Sequence, residues 1–350
     1  MSEAQWRGGL RPEDDHFLSE PPEFSWLREG ASFWIYDDRG RFAIPRLGIE
    51  AEPVSWENRR YQANFTLPGN RVLIDDGGAP MHPVMDEAGN PAVLGAGPLT
   101  MRCVEPWKRW AVEFDGLAHD TTLDDQIAGK SSAAPRVPLR YQIKLEMKVP
   151  AFLQDCSPEA FAKRGTGERR DSLSVGLGWR IEQLFTGEGW YELDGVRETF
   201  TCSGMRVKRR SVRTDGLFLR GHCWQTAIFP DGRAFGYLAY PTHADGSEGW
   251  NYGFLWQDGR MYAAKARQMP WLKLTDSKPQ DVSFELESEL GTTRISGVTT
   301  LSTMRVARSD LFGLSLEQTG VRYGWDGQVA YGMLERSSVT NAGEEPGFRT

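Results

Sequence analysis

Alternating apolar and polar positions mark β-strands along most of the chain. From Arg140 to Val149, Tyr141, Ile143, Leu145, Met147 and Val149 alternate with Arg140, Gln142, Lys144, Glu146 and Lys148. Period two over that length gives one buried face and one wet face. Val282, Phe284 and Leu286 alternate in the same way with Glu285, Glu287 and Glu289, as do Trp110, Val112 and Phe114 around Ala111 and Glu113. Between such runs, Asp38-Arg39-Gly40, Asp231-Gly232, Asp258-Gly259 and Asp326-Gly327 put glycine where a hairpin needs a positive φ. Asp115-Gly116 and Asp194-Gly195 read as further strand ends, a weak echo of an internal duplication.

Helical periodicity is nearly absent. One helix is signalled at mid-chain, with Ser157 as N-cap, Pro158 at the first helical position, Glu159 in the first turn and Gly165 to stop it. The Arg-, Gly- and Ser-rich stretch 163–174 then reads as a junction. Antiparallel strands joined by tight turns favour closure, which removes exposed edges. The fold expected is therefore all-β: two consecutive lipocalin-like antiparallel barrels, over 1–165 and 175–340, with little helix and a flexible tail at 341–350.

Composition supports this and narrows the function. With 350 residues the chain can build two cores. A net charge of −7, with basic residues dispersed apart from Lys208, Arg209 and Arg210, speaks against nucleic acid as a partner. No apolar run reaches the ~18 residues of a membrane span, and the first residues lack a signal-peptide layout, so a cytoplasmic protein is expected. Cys103, Cys156, Cys202 and Cys223 are widely spaced and read as reduced thiols without a metal. Dinucleotide, P-loop, zincin and hydrolase-elbow motifs are missing from the sequence, so no cofactor is expected. A homodimer is compatible with the sequence.

The alternation loses its simplicity between Trp179 and Tyr240. Around His222 one face carries Phe218, Arg220, His222, Trp224 and Thr226, and the other carries Gly221, Cys223, Gln225 and Ala227. Trp190 shares a face with Glu192, and Arg206, Lys208 and Arg210 alternate with Met205, Val207 and Arg209. A strand lining a mixed pocket looks like this, because apolar-ligand sites combine aromatic walls with a few placed polar groups. Each residue also has a plain structural role open to it: a hydrogen-bonded histidine, a solvated arginine face, or some of thirteen tryptophans filling barrels.

Three passages resemble a known group, the double-lipocalin proteins related to hydroxyneurosporene synthase (carotenoid 1,2-hydratase), kievitone hydratase and AttH-like proteins. They are VEPWKRWAVEFDG (104–116), RIEQ (180–183) with Gly187 and Asp194-Gly195, and GMRVKRRSVR with GHCWQTAIFPDGRAFGY. The resemblance spans about 14–335 and implies the fold more strongly than the activity. Many relatives carry Asp-His-Ser-Trp where this chain has Arg209-Arg210-Ser211-Val212. Any role of that histidine is therefore not carried over, and His222 on the neighbouring strand stands as its substitute.

The function expected is a cofactor-free lyase of the hydratase or dehydratase kind, or an isomerase or cyclase, acting on an apolar terpenoid, steroid or polyketide-like substrate. Adding water to an alkene needs a protonated acid, an aromatic face for the developing cation and an oriented water. Glu182 or Glu192 is the candidate acid and His222 the orienting group. Gln183, Trp190, Arg206, Arg210, Trp224, Tyr237 and Tyr252 are the candidate substrate contacts. A carrier that binds an apolar molecule without chemistry is the alternative, and its pocket would hold no strongly perturbed titratable group. A scaffold would expose apolar strands, of which the sequence shows few.

Overall fold

A computed structural model of the chain describes residues 1–212, 220–273, 276–306 and 315–338. The tail at 341–350 and Phe218 lie outside the described residues. Strands dominate. In chain order they are β1 (Leu27–Asp37), β2 (Ala43–Ala51), β3 (Asn58–Leu67), β4 (Arg71–Pro80), β5 (Val93–Ala96) and β6 (Leu99–Glu105). Then follow β7 (Arg109–Thr122), β8 (Arg136–Met147), β9 (Phe152–Cys156), β10 (Leu177–Leu193) and β11 (Val196–Val212). The C-terminal set is β12 (His222–Ile228), β13 (Ala234–Ala239), β14 (Asn251–Gln257), β15 (Arg260–Arg267), β16 (Phe284–Ser288), β17 (Gly291–Arg305), β18 (Ser315–Trp325) and β19 (Gln328–Ser338).

Two antiparallel barrels result. β12 to β19 close in simple up-and-down order. The first barrel closes through β1-β2-β3-β4-β7-β8-β10-β11 and back to β1, with the β4–β7 seam held by Arg71 to Ile74 against Thr122 to His119. Several expected turns sit where glycine was needed: Asp194-Gly195, Asp258-Gly259 and Asp326-Gly327 each place both residues at positive φ, the geometry that matches strand twist in a two-residue hairpin. Asp115-Gly116 instead lies inside β7, paired to Arg140 and Leu139 of β8.

The division between the halves differs from the expected one. β10 and β11 hydrogen-bond to β8 and β1, so the first barrel runs to Val212 and the second starts at His222. The mid-chain helix begins as expected, with the Ser157 hydroxyl accepting from Ala160 N–H over Pro158–Lys163. Gly165 does not end the helical region. It is the N-cap residue of a second helix, Thr166–Val175, and this helical pair is an insertion ahead of the last two strands of the first barrel. A helix-breaking junction and an inserted helix share the same Gly- and Ser-rich beginning, which is why the sequence suggested a boundary there.

Both barrel interiors are filled. Phe33, Phe65, Trp110, Phe114, Tyr141 and Phe185 pack inside the first, and Phe235, Tyr237, Phe284, Leu286 and Tyr323 inside the second. A third apolar cluster joins the outer faces of the two barrels, with Trp34, Tyr36, Leu184, Met205 and Val207 against Trp224, Leu238, Tyr240, Phe254 and Met333. β1 is buried along almost its whole length because one face fills a barrel and the other meets the neighbouring barrel. No described helix is long and apolar enough to cross a membrane. The four cysteines are buried and unbridged.

Candidate functional site

The packing between the barrels is incomplete, and it leaves a cavity of about 870 Å³. That is within the range of small-molecule sites. The first barrel contributes the outer faces of β1 to β4, including Ser32, Trp34, Arg46 and Asn64, and Arg180, Val207 and Arg209 from β10 and β11. The second contributes His222 and Trp224 from β12, Leu238 from β13, Tyr240 just beyond it, Arg305 from β17, Gln318 from β18 and Glu335 from β19.

Strand register explains the row of groups on the second-barrel wall. Gln318 pairs with Glu335, Glu335 with Trp224, and Trp224 with Leu238, so these side chains stand side by side on one face. His222 precedes Trp224 by two residues on that face, and its Nε2 lies 3.2 Å from Glu335 Oε1. Its Nδ1 lies 2.6 Å from Ser337 Oγ. Gln318 Nε2 donates to Glu335 Oε2 at 2.6 Å, and Asn64 Nδ2 from the first barrel donates to Gln318 Oε1 at 3.2 Å. A polar chain therefore crosses from one barrel to the other and ends on a histidine.

Burial alone would raise the Glu335 carboxyl, but the His222 contact, the charge of Arg46 and the Gln318 amide together hold it at about 2. Glu335 is thus an anion at neutral pH, so Nε2 of His222 carries the proton that joins them. Trp34 and Trp224 meet edge to face at 4.7 Å between ring centres, with Arg180 stacked 4.5 Å from the Trp224 ring. Neither indole N–H has a hydrogen-bond partner among the described residues.

Of the residues expected at the site, His222 and Trp224 line this cavity. The others are elsewhere. Trp190 and Glu192 do share a face, but it is the outer face of the far half of β10, where Arg197 stacks 3.9 Å from the Trp190 ring and pairs with Glu192 at 2.9 Å. Glu182 is buried without lining the cavity; its Oε1 accepts from Arg180 at 2.6 Å and Gln154 at 2.9 Å, and only Arg180 reaches the cavity wall. Gln183 and Arg206 point into the first barrel, where Gln183 Oε1 accepts from Arg206 and Arg206 also donates to Asp15 at 2.7 Å. Arg210 donates to Glu29 at 2.8 Å. Tyr237 is inside the second barrel, accepting from Gln225 at 2.7 Å, and Tyr252 packs on Trp250 with its hydroxyl 3.3 Å from Glu168.

The structure adds Trp34, Arg46, Asn64, Arg180, Tyr240, Arg305, Gln318 and Glu335, which sequence reasoning did not select. One signal was available: Glu335 and Arg336 follow directly on the apolar run 329–334 within one strand, and both are buried. Among the described residues, no group of three or more His, Cys, Asp or Glu side chains converges as a metal would require.

Comparison with solved structures places this architecture. A protein described as an AttH from Nitrosomonas europaea superimposes with a TM-score of 0.58 at 15% identity, over 96% of this chain and 97% of that one. The chain has the double-barrel fold of these proteins. Kievitone hydratase from Nectria haematococca matches with a TM-score of 0.52 at 11% identity, over 93% of this chain and 92% of the hydratase. CghA in complex with Sch210972 matches at 0.51 and 10% identity, over 91% and 89%. No protein-family model and no curated protein matches the sequence. The resemblance read from the sequence thus holds at the level of the fold.

Proposed function

We propose that this protein is an enzyme of the hydratase, dehydratase or cyclase kind, which moves a proton on an apolar substrate held between its barrels. The observation that carries the reading is the buried His222–Glu335 pair in the wall of an aromatic cavity. A carrier gains nothing from a carboxylate buried there, since an unpaired charge would cost several kcal/mol and a paired one still forfeits its hydration. A proton-transfer site does gain, because the anion stabilises the imidazolium and fixes the ring's orientation.

In the hydration direction, the imidazolium of His222 gives its Nδ1 proton, released from the Ser337 contact while Nε2–H stays on Glu335, to one alkene carbon; the cationic carbon is stabilised by the faces of Trp34, Trp224 and Tyr240, and water adds to it. The proton lost by that water returns to His222, so the pair ends as it began. Dehydration is the reverse, and isomerisation or cyclisation returns a carbon-bound proton instead. Gln318 and Asn64 are positioning residues that hold the Glu335 carboxylate. That kievitone hydratase shares the fold supports this reaction class. The proposed acid is therefore His222, not Glu182 or Glu192.

The test is a panel of prenylated, terpenoid and polyketide-like alkenes and tertiary alcohols incubated with the protein in D2O. The enzyme reading expects a product with solvent deuterium on carbon. Recovery of every bound compound unchanged and unlabelled would establish the carrier instead.

A further inference from the structure

We infer that one end of the inter-barrel cavity is a head-group site for an anionic amphiphile, whose acidic oxygens lie on Arg46 and Arg305 and whose tail lies on Trp34, Trp224 and Leu238. This rests on the cavity being the substrate site, and it narrows the substrate from an apolar molecule to an apolar acid.

The two arginines come from different barrels, and each is aimed into the cavity by a β-bulge. In β2, Phe33 of β1 pairs with Leu47 but Ile35 pairs with Ile44; on the other side, Asn64 pairs with Arg46 but Thr66 pairs with Ala43. Both neighbours therefore see one extra residue around Pro45, and proline, lacking an N–H, is at home in such a break. Ile44 packs inside the barrel, so regular alternation would send Arg46 inside as well. The extra residue turns it outward. In β17, Val321 pairs with Thr299 and the adjacent Gly320 with Leu301, again one residue in excess. Ile295 packs inside the second barrel, and the bulge sends Leu301, Thr303 and Arg305 outward instead. Bulges interrupt the hydrogen-bond ladder and re-aim side chains, and they recur beside functional sites. Two of them here converge on one cavity.

The charges so gathered are matched only at a distance: Glu50, Glu52, Asp76 and Glu335 line the same cavity, but among the described residues none except Glu335 comes within 4 Å of Arg46, Arg60 or Arg305. Among the described residues Arg46 reaches no carboxylate closer than Glu335 at 3.9 Å, and its Nε is buried with no hydrogen-bond partner. Glu335 is already engaged by His222 and Gln318. Among the described residues Arg305 has no ion pair within 4 Å, nor does Arg60, which also lines the cavity. The surrounding protein and the Arg46 charge lower the Arg305 guanidinium, although its side chain keeps access to solvent; Glu335 and Asp76 raise it, and Arg60 lowers it further. A carboxylate or phosphate placed among these arginines relieves their repulsion and takes paired N–H donors.

Tryptophan fluorescence reads occupancy directly, because Trp34 and Trp224 line the cavity. Dodecanoate, dodecyl phosphate and dodecan-1-ol are titrated into the wild-type protein and into Arg305→Gln and Arg60→Gln, two side chains exposed enough to change without disturbing the core. At least one of the two anions is expected to bind ten-fold or more tighter than the alcohol, and the tighter anion identifies the head as carboxylate or phosphate. Arg305→Gln should weaken that anion at least five-fold and leave the alcohol within two-fold. Equal affinity for all three probes, or equal weakening of all three in both variants, overturns the head-group site while leaving the cavity a binding site. Failure of all three to bind overturns both. Arginine-dependent anion binding in a protein whose turnover ignores Glu335 keeps the head-group site and removes the catalytic reading.

Discussion

Replacing Glu335 with glutamine should lower kcat at least 100-fold and change KM less than about three-fold, on whichever substrate the D2O screen identifies. The amide keeps the shape and the Gln318 contact but cannot stabilise an imidazolium, and general acid–base groups contribute on the order of 100- to 10,000-fold. His222→Gln should fall as far. The double variant should fall no further than the worse single one, because groups that act as a unit are not additive. The Glu335 variant has a second readout. A carboxyl held at about 2 when folded and near its ordinary 4.5 when unfolded contributes stability that is complete above pH 4.5 and is lost as pH falls toward 2. Urea melts between pH 5 and 2.5 should therefore show a flatter acid limb in Glu335→Gln. Full turnover in both single variants would remove the pair from the chemistry.

Asp15→Ala should destabilise the protein by about 3–5 kcal/mol in urea denaturation, the usual consequence of stranding a buried charge. Asp15 is fully buried and accepts from Arg206 Nη1 at 2.7 Å, Trp107 N–H at 2.6 Å and Trp110 Nε1 at 3.1 Å. Burial would raise this carboxyl, but Arg206 and Lys208 outweigh it and keep the group below its ordinary value. Nearby, Lys208 donates to Asp14 O at 3.0 Å and to His16 O. The segment Pro12–Asp15 thus latches the charged inner face of β11 inside the first barrel, and Arg206 is one of the groups that hold it. A loss below about 1 kcal/mol, with ligand affinity changed instead, would return Arg206 to a binding role.

That latch also shows where the sequence was legible and where it was not. Alternation along 140–147 and the Asp-Gly hairpins depend on neighbours close in sequence, and they gave strands, barrel class and, apart from Asp115-Gly116, turns correctly. Alternation says which residues share a face, not what lies against it. Arg206, Lys208 and Arg210 share a face, but it meets Asp14, Asp15 and Glu29, far away in the chain, while the opposite face sends Val207 and Arg209 to the cavity. Trp190 and Glu192 lie on the far half of a 17-residue strand, of which only the near half is covered by the other barrel. The bulges at Pro45 and Thr300 reverse the facing of Arg46 and Arg305, and nothing local marks them apart from the proline. His222 and Trp224 line the candidate cavity, and the sequence singled them out because an aromatic and a histidine alternate with residues suited to a barrel interior.

The most direct measurement is a crystal structure of the Glu335→Gln protein with a substrate bound, since loss of turnover preserves the complex. The substrate should lie between the barrels, with its tail on Trp34 and Trp224 and its reacting carbon within about 3.5 Å of the His222 ring, the separation of a near-attack geometry. Density for the substrate inside either barrel, or on the Trp190 face of β10, would contradict the inter-barrel site.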